Sequence, residues 1–324
     1  DAIPGSPWVY WITPGLSRVF ERFPRLDELA EPRQGLTTAD TYRFIRYWWE
    51  IGLSRIESRC YSIHNASFST KKWFPLIKGG EFRRWHPNEY YVVNWSRDGS
   101  EIKEHICQSY PYLKGKWAWV AKNSDFYFLS GITWNKVTSA RLSARFQRSG
   151  FIFSDAGCTV FPPKELQLQI LGVLNSRVVA TFLSYISPTV NYEVGQIAKL
   201  PIPDRPSGTL RRMVEQAIEL AKADNQEDET AWDFIAPPDW PDGIQKVAER
   251  HAQLAQIERQ IDEEVYRLYG ITEEDRNAIE QELGMMNDGQ SDSSFIVHDS
   301  SLSAQRSSLA RQWISYAVGI VMGR

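Results

Sequence analysis

Cysteine is scarce in this 324-residue sequence, and the three that occur, Cys60, Cys107 and Cys158, lie far apart. An odd number at such spacing builds neither a disulfide framework nor a CxxC zinc site. Long apolar runs are also missing, since no stretch approaches the ~20 residues that a membrane-spanning helix needs. The chain opens without a signal peptide. These absences predict a cytoplasmic protein with no membrane partner, and the missing initiator Met favours an excised fragment.

Catalytic and metal-binding patterns are missing as well. The sequence has no GxSxG, P-loop or GxGxxG, and no Asn-Pro-Pro-Tyr loop of the kind that holds adenine in amino-methyltransferases. Its five histidines show no HxxxH spacing. Asp98, Glu101 and Lys103 are similar to the acidic-acidic-lysine cluster of metal-dependent nucleases, but the usual gap between the acids is missing, and Asp98-Gly99 is typical of a hairpin turn. We therefore predict no catalytic residue and no metal site in this chain.

The net charge of −3 conceals an uneven distribution of charged residues. Residues 71–148 contain 14 Lys/Arg and 6 Asp/Glu, whereas residues 213–290 contain 20 Asp/Glu and 6 Lys/Arg. A basic body with an acidic extension is typical of a polyanion-binding protein that carries a solvated arm. The distribution therefore favours a nucleic-acid partner in spite of the overall charge.

The spacing of apolar residues predicts an α+β fold. Short apolar runs at 90–93, 126–129 and 150–153 are followed by turn residues, which favours strands and hairpins between residues 35 and 202. One strong helix is predicted over 163–185, because its apolar residues recur at spacings of three and four.

After Pro206 the pattern is helical throughout. A first helix is predicted over 210–221 and a polar loop over 224–242. A long helix follows over 243–269, with Asp242 as its N-cap and Gly270 after its end. Another helix begins near Thr272 and a last one near Ser307.

Four segments contain candidate DNA contacts, each with a structural alternative. Hydroxyl groups and cations at 35–44 suit a phosphate-binding loop, or else a simple turn. Cations interleaved with aromatics at 71–85 are typical of a nucleic-acid surface, or else of a strand with core aromatics. The arginines at 139–148 are predicted to lie on one helix face or at the edge of a loop. There they could bind guanine and Gln147 could bind adenine, or else the segment forms a solvated face. The loop at 188–195 suits DNA contact, although an Asn in a turn is the commoner explanation.

The candidate DNA-binding residues fall into four groups. Those in the first loop are Thr37, Thr38 and Arg43; those for backbone contacts are Lys71, Lys72, Lys78, Arg83 and Arg84; those for base reading are Arg141, Arg145, Gln147 and Arg148; those in the last loop are Asn191 and Tyr192. The tryptophans in apolar runs are predicted to pack in the core rather than to form a sugar-binding surface; they include Trp48, Trp49, Trp117 and Trp119.

Several segments occur in an order that has a known counterpart. They include Gly35-Leu36-Thr37-Thr38 through Phe44-Ile45-Arg46-Tyr47-Trp48, then Gly131-Ile132-Thr133-Trp134 through Gly150-Phe151-Ile152-Phe153, Leu171-Gly172-Val173-Leu174-Asn175-Ser176, Asn191-Tyr192-Glu193-Val194-Gly195 and Leu200-Pro201-Ile202-Pro203. This order resembles the target-recognition region of large bacterial adenine-specific DNA methyltransferases. Segment 258–271 resembles the spacer helix of fused restriction-modification enzymes. Segments 4–11 and 315–324 are similar to the PglX methyltransferases of BREX phage-defence systems, which are related to type IIG restriction-modification enzymes. The stretch at 38–40 departs from the usual Thr-Gly-Asp-Asn run.

The resemblance implies N6-adenine methylation with S-adenosylmethionine on non-palindromic sites, by a methyltransferase domain that precedes residue 1. The cofactor is therefore assigned to the parent enzyme and none to this fragment. We predict an entry segment over 1–34, a DNA target-recognition domain with a mixed β-sheet over 35–205, a helical spacer over 206–285, a linker over 286–304 and a further helical element over 305–324.

Three functions follow as hypotheses. In the first, the chain recognises double-stranded DNA for the missing methyltransferase domain, with other phage-defence subunits as further candidate partners. In the second, it is a protein-interaction module that docks those subunits and binds no DNA alone. In the third, it is an autonomous nuclease that depends on Asp98.

Overall fold

The structure, a computed structural model, describes residues 12–87, 89–138, 141–187, 191–287 and 302–322. The strands of the described chain are β1 (Glu31–Arg33), β2 (Ile45–Tyr47), β3 (Trp73–Ile77), β4 (Tyr91–Asn94), β5 (Gly131–Asn135), β6 (Ala144–Gln147), β7 (Ile152–Phe153) and β8 (Gly157–Phe161). The α-helices are α1 (Pro14–Arg22), α2 (Leu26–Leu29), α3 (Thr41–Phe44), α4 (Ile63–Phe68), α5 (Ser96–Ser109), α6 (Lys164–Leu174), α7 (Arg177–Ile186), α8 (Val194–Ile197), α9 (Gly208–Gln226), α10 (Gly243–Tyr269), α11 (Glu273–Asn287) and α12 (Leu302–Val321). This confirms the predicted α+β class.

The strands form two four-stranded sheets. Sheet A has the order β1-β8-β5-β6 and is antiparallel throughout. Sheet B has the order β2-β4-β3-β7, in which β7 runs parallel to β3. All five residues of β5 are buried, as expected of a central strand covered on both faces.

Each sheet belongs to its own hydrophobic core. Sheet B and α5 pack around Phe74, Trp95 and Phe153. Sheet A shares its core with α1, α6, α7, α9, α10 and α11. At the contact of α6 with α9, a Cβ on Gly172 would lie only 2.8 Å from Val214, so the two helices approach closely. Helices α9, α10 and α11 therefore share the core of sheet A, and the expectation of a solvated acidic arm is wrong for them.

The helix predicted over 163–185 is two helices, α6 and α7, bent by 75° at the break. Asn175 ends α6 and hydrogen-bonds to β6: its Oδ1 accepts from the Ala144 N–H at 2.8 Å and its Nδ2 donates to the Ala144 carbonyl at 2.9 Å. Ser176 then caps α7 by accepting from the Val179 N–H. Among the described residues no single helix is long and apolar enough to cross a membrane, although this bent pair passes by length and composition.

Two turn and strand predictions in the N-terminal half are wrong. Asp98-Gly99 lies at the start of α5 instead of in a hairpin, although both residues have the left-handed backbone that suggested a turn. The apolar run at 126–129 forms no strand. Its first residue, Phe126, is the last residue of a short 3-10 helix (Ser124–Phe126). The runs at 90–93 and 150–153 do contain β4 and β7.

The C-terminal helices follow their apolar periodicity closely. Helix α10 has the predicted bounds, and it ends at Gly270 with φ of 71°. Asp242, the predicted N-cap, makes no side-chain capping hydrogen bond. Helices α11 and α12 confirm the two later predictions, whereas most of the linker predicted over 286–304 lies outside the described residues.

Candidate nucleic-acid interface

The loop at 35–44 is held together by its own hydrogen bonds. Asp40 caps α3 by accepting from the Arg43 N–H at 3.0 Å. Thr38 is 4% exposed, and the half-buried Thr37 donates its N–H to the Val120 carbonyl at 3.3 Å. Arg43 is exposed and lies over the ring of Phe44. Of the three candidates here, only Arg43 presents a fully accessible side chain.

The lysines of the 71–85 segment lie at opposite ends of β3. At one end, Lys71 donates to the Ile56 carbonyl at 2.8 Å, and the exposed Lys72 pairs with Glu101 at 3.3 Å. At the other end, the Lys78 ammonium lies 5.1 Å from the centroid of the Tyr91 ring. A five-residue strand spans roughly 17 Å, so these cations do not form the single patch that the sequence suggested.

Arg83 and Arg84 face the C-terminal helices. Arg83 pairs with Asp228 at 3.2 Å and also hydrogen-bonds to Asn225. Arg84 pairs with Glu258 of α10 at 3.4 Å, and the same carboxylate accepts from the Trp85 indole at 2.7 Å. These ion pairs attach the basic segment to the acidic region that follows residue 213.

The base-reading candidates at 144–147 lie in strand β6, so the predicted helix or loop edge is wrong. Arg145 is 2% exposed and donates to Asn135 Oδ1 at 2.7 Å. Burial, with a smaller contribution from Arg83, lowers the pKa of its guanidinium to about 10. Gln147 is fully buried and bonds to the Leu129 carbonyl and to Thr159. In this conformation neither side chain can reach a base.

Arg148 belongs to an ionic cluster with Glu89, Asp233 and His86. Its guanidinium lies 3.2 Å from Glu89 Oε1 and 3.1 Å from Asp233 Oδ1. Burial raises the pKa of Glu89, which is 2% exposed, while a hydrogen bond from His86 leads the interactions that lower the pKa of Asp233. The His86, Glu89 and Asp233 ligand atoms lie within 4.8 Å of one another, a spacing that could hold a metal ion. Because Arg148 already neutralises both carboxylates, we interpret the cluster as an ion network.

The last group of candidates divides between surface and core. Asn191 is exposed and pairs with Val137 in an isolated bridge, and Arg141 is half-buried. Tyr192 is 6% exposed, and its carbonyl accepts from the Trp134 indole at 2.9 Å. Tyr192 is therefore a core residue in the described structure.

A surface group of cations and aromatic rings lies around β2 and was not predicted from the sequence. We name it the cation–aromatic cluster; its members are Tyr42, Arg43, Arg46, Tyr47, Trp49, Lys78 and Tyr91. Tyr42 is 91% exposed and Trp49 44%. Among the described residues neither Arg43 nor Arg46 forms an ion pair, and the same holds for the exposed Arg55 and Arg59 that follow.

The prediction that four tryptophans pack in the core is wrong for Trp49 and Trp119, which are 44% and 65% exposed. Trp48 is half-buried, and the half-buried Trp117 packs against the core of sheet B as predicted. Successive residues of a strand point to opposite faces of its sheet, and β2 lies at the edge of sheet B. This alternation is the signal that could have located the cluster. The apolar run at 44–49 concealed it.

The chain was compared with known proteins. It is 30% identical over its whole length to the adenine-specific methyltransferase PglX of Lacticaseibacillus casei (strain Zhang). It is 29% identical over 99% of its length to the adenine-specific methyltransferase BrxX of Escherichia coli O9:H4 (strain HS). The chain is a fragment of a PglX-like protein. It spans 27% and 26% of the lengths of these two relatives, and no protein-family model matches it. The resemblance to the PglX family is confirmed.

Proposed function

We propose that this chain recognises the DNA target of a PglX-like, site-specific N6-adenine methyltransferase that acts in a BREX phage-defence system. Both similar proteins are named adenine-specific methyltransferases. S-adenosylmethionine and the catalytic loop are assigned to the part of the parent protein outside this chain. Here the chain supplies the cations and ring faces that hold double-stranded DNA in position.

The observation that carries the proposal is the cation–aromatic cluster. Its two arginines are close in sequence and free of ion pairs within the described structure, and they adjoin exposed rings. Guanidinium groups without carboxylate partners are available to phosphates, which supply most of the affinity of a protein for DNA. Arg83, Arg84 and Arg148 are neutralised by the C-terminal helices and the loop between them, and Lys72 pairs with Glu101, so the candidate phosphate contacts are Arg43, Arg46 and Lys78.

The test is binding of the chain to random duplexes at several salt concentrations, followed by sequencing of the retained DNA. We expect an enriched asymmetric motif that contains adenine. Arg43→Ala combined with Arg46→Ala should weaken binding to all sequences and reduce the slope of log affinity against log salt by about 0.9 for each phosphate that is no longer neutralised. Arg211→Ala with Arg212→Ala on α9 is the matched control, because Arg211 already pairs with Glu215 on an exposed helix face. No retention of DNA at low salt would refute the proposal.

A protein-interaction role is the second candidate, and one observation favours it. Helix α12 exposes an apolar stripe in which Ile314, Val318 and Val321 are 64%, 56% and 85% exposed. A stripe of this spacing is typical of a helix face that packs on another protein surface. A nuclease role lacks such support: Asp98 pairs with Lys103 at 2.6 Å, while Glu101 bonds to Asn94 and Lys72.

A further inference from the structure

Three aromatic rings of the cation–aromatic cluster form a stacked ladder. Tyr47 lies between Trp49 and Tyr91, with ring centroids 4.5 Å and 5.0 Å away and interplanar angles of 11° and 26°. Tyr47 and Tyr91 are direct partners across β2 and β4, so the sheet itself sets the spacing of these two rings. Trp49, in the turn that follows β2, extends the stack beyond the strand.

The outer ring is held in place although it is exposed. Trp48 packs edge-on against both Trp49 and Trp232, and its indole donates to the Thr230 carbonyl at 2.9 Å. Tyr47 and Trp49 nevertheless keep 40% and 44% of their surface accessible. Rigid, solvent-facing rings of this kind lose little conformational entropy when a flat ligand stacks on them.

A cation lies at one end of the ladder, where the Lys78 ammonium is 5.1 Å from the centroid of the Tyr91 ring. Arg43 and Arg46 precede Tyr47 in the chain. The carboxylates of the two nearby acids accept hydrogen bonds from backbone N–H groups: Asp40 caps α3, and Glu50 accepts from the Tyr47 N–H at 3.0 Å. Burial, and next a hydrogen bond with Tyr47, raises the pKa of the Tyr91 phenol to about 12, so this group adds no negative charge near neutral pH.

We infer that the Trp49–Tyr47–Tyr91 ladder is a stacking site for an unpaired base of DNA. The inference rests on the proposed function. Bases within a duplex are already stacked on both faces, so a free ring face is useful to a base that has left the helix. Enzymes that act on a base extrude it from the duplex, and extrusion leaves its partner unpaired. Exposed rings beside cations form the usual arrangement for binding single-stranded nucleic acid. Sugar rings also stack on aromatic faces, but a neutral sugar gains nothing from the cations.

The test compares two duplexes of the same sequence, one fully paired and one with an abasic site that leaves a single base without a partner. We expect the 324-residue chain to bind the second about tenfold more tightly. Trp49→Ala should reduce the ratio of the two affinities to about one, and Trp49→Phe should keep most of the preference. Trp119→Ala is the matched control, because Trp119 is 65% exposed and has the Lys116 ammonium 5.4 Å from its ring.

The outcomes separate this inference from the function on which it rests. Tight binding of both duplexes without preference, or a preference that survives Trp49→Ala, would overturn the stacking site and leave target recognition standing. A preference that disappears equally in Trp119→Ala would also overturn it, since the effect would then not be local to the ladder. Failure to bind either duplex at low salt would refute both. Thermal unfolding of each variant confirms that the surface substitution leaves the fold intact.

Discussion

Asp262 is a half-buried carboxylate that accepts a hydrogen bond from the start of helix α7. It lies on α10 and accepts from the Arg177 N–H, the first residue of α7, at 2.9 Å. Burial raises the pKa of this carboxyl to about 6, and the hydrogen bond from Arg177 is the largest opposing effect. An unfolded Asp has a pKa near ~3.9. The native state therefore binds more protons between these two values, and the stability from the protonated form is lost as pH rises through about 6.

Asp262→Asn keeps the oxygen that accepts from Arg177 and removes the charge. We expect the free energy of unfolding to rise by about 1–3 kcal/mol near pH 7.5, because a shift of one pKa unit corresponds to about 1.4 kcal/mol. Near pH 4 the two proteins should be almost equally stable, since Asp262 is protonated there in the native state. Urea unfolding at both values measures the difference. An equal gain at the two values would show that the charge is not the cause.

At the scale of elements, the loop between α9 and α10 is tied to the end of β6 by one guanidinium. Arg148 follows β6 and joins Glu89, which is 2% exposed, to Asp233 of the loop. Removing one partner of a buried pair leaves an uncompensated charge, which costs several kcal/mol even when the pair itself contributes little. The position of this loop therefore depends on Arg148.

Arg148→Ala should lower the free energy of unfolding by about 1–2 kcal/mol, less than a fully buried pair would lose because 42% of the Arg148 side chain is exposed to solvent, and should loosen the loop at 227–242. Arg211→Ala should change stability little, because its pair with Glu215 is exposed on a helix surface. Chemical denaturation measures the change in the free energy of unfolding, and hydrogen exchange of the loop amides measures whether the loop has loosened. An Arg148→Ala protein of unchanged stability that binds a different DNA motif would return Arg148 to the base-reading role predicted from the sequence.

The sequence predicted elements well where one periodicity continued without interruption. Helix α10 has its predicted bounds, since apolar residues recur over many turns and Gly270 ends them. The break between α6 and α7 was missed, because the apolar pattern continues through it and only a distant contact from Asn175 to β6 bends the chain. Arg145 and Gln147 were predicted to be accessible, because arginines three or four positions apart fit one face of a helix. They lie in a strand instead, where successive side chains point to opposite faces, and both are buried.

Part of the candidate interface could be predicted from the charge of its residues. Arg43 and Lys78 were identified from their charge and lie in the cation–aromatic cluster. Trp49 was assigned to the core, because an apolar run carries no sign that its strand lies at the edge of a sheet. The ion pairs that neutralise Arg83 and Arg84 could not be predicted from neighbouring residues either, since their partners are more than a hundred residues away in sequence.

At the scale of the whole molecule, ion pairs between distant parts of the chain balance part of the charge asymmetry of the sequence. Three arginines, Arg83, Arg84 and Arg148, meet carboxylates between residues 228 and 258. Helices α9 and α10 also contribute apolar side chains to the core of sheet A, among them Leu210, Val214 and Ile261. Ion pairs and apolar contacts therefore both join the parts on either side of the boundary predicted at 205.

A chain that ends at residue 205 should not fold on its own. It would expose the face of α6 at Gly172, where Val214 and Leu210 pack closely, and would leave Arg83 and Arg84 without their carboxylates. Each large apolar side chain that loses its cover forfeits roughly 1.5–3 kcal/mol, and a few such losses equal the total stability of an ordinary domain. We expect no cooperative thermal transition for residues 12–205 and a clear one for the full chain. A cooperative transition in the short chain would instead make 35–205 an independent domain, with the later helices as a spacer in the sense predicted from the sequence.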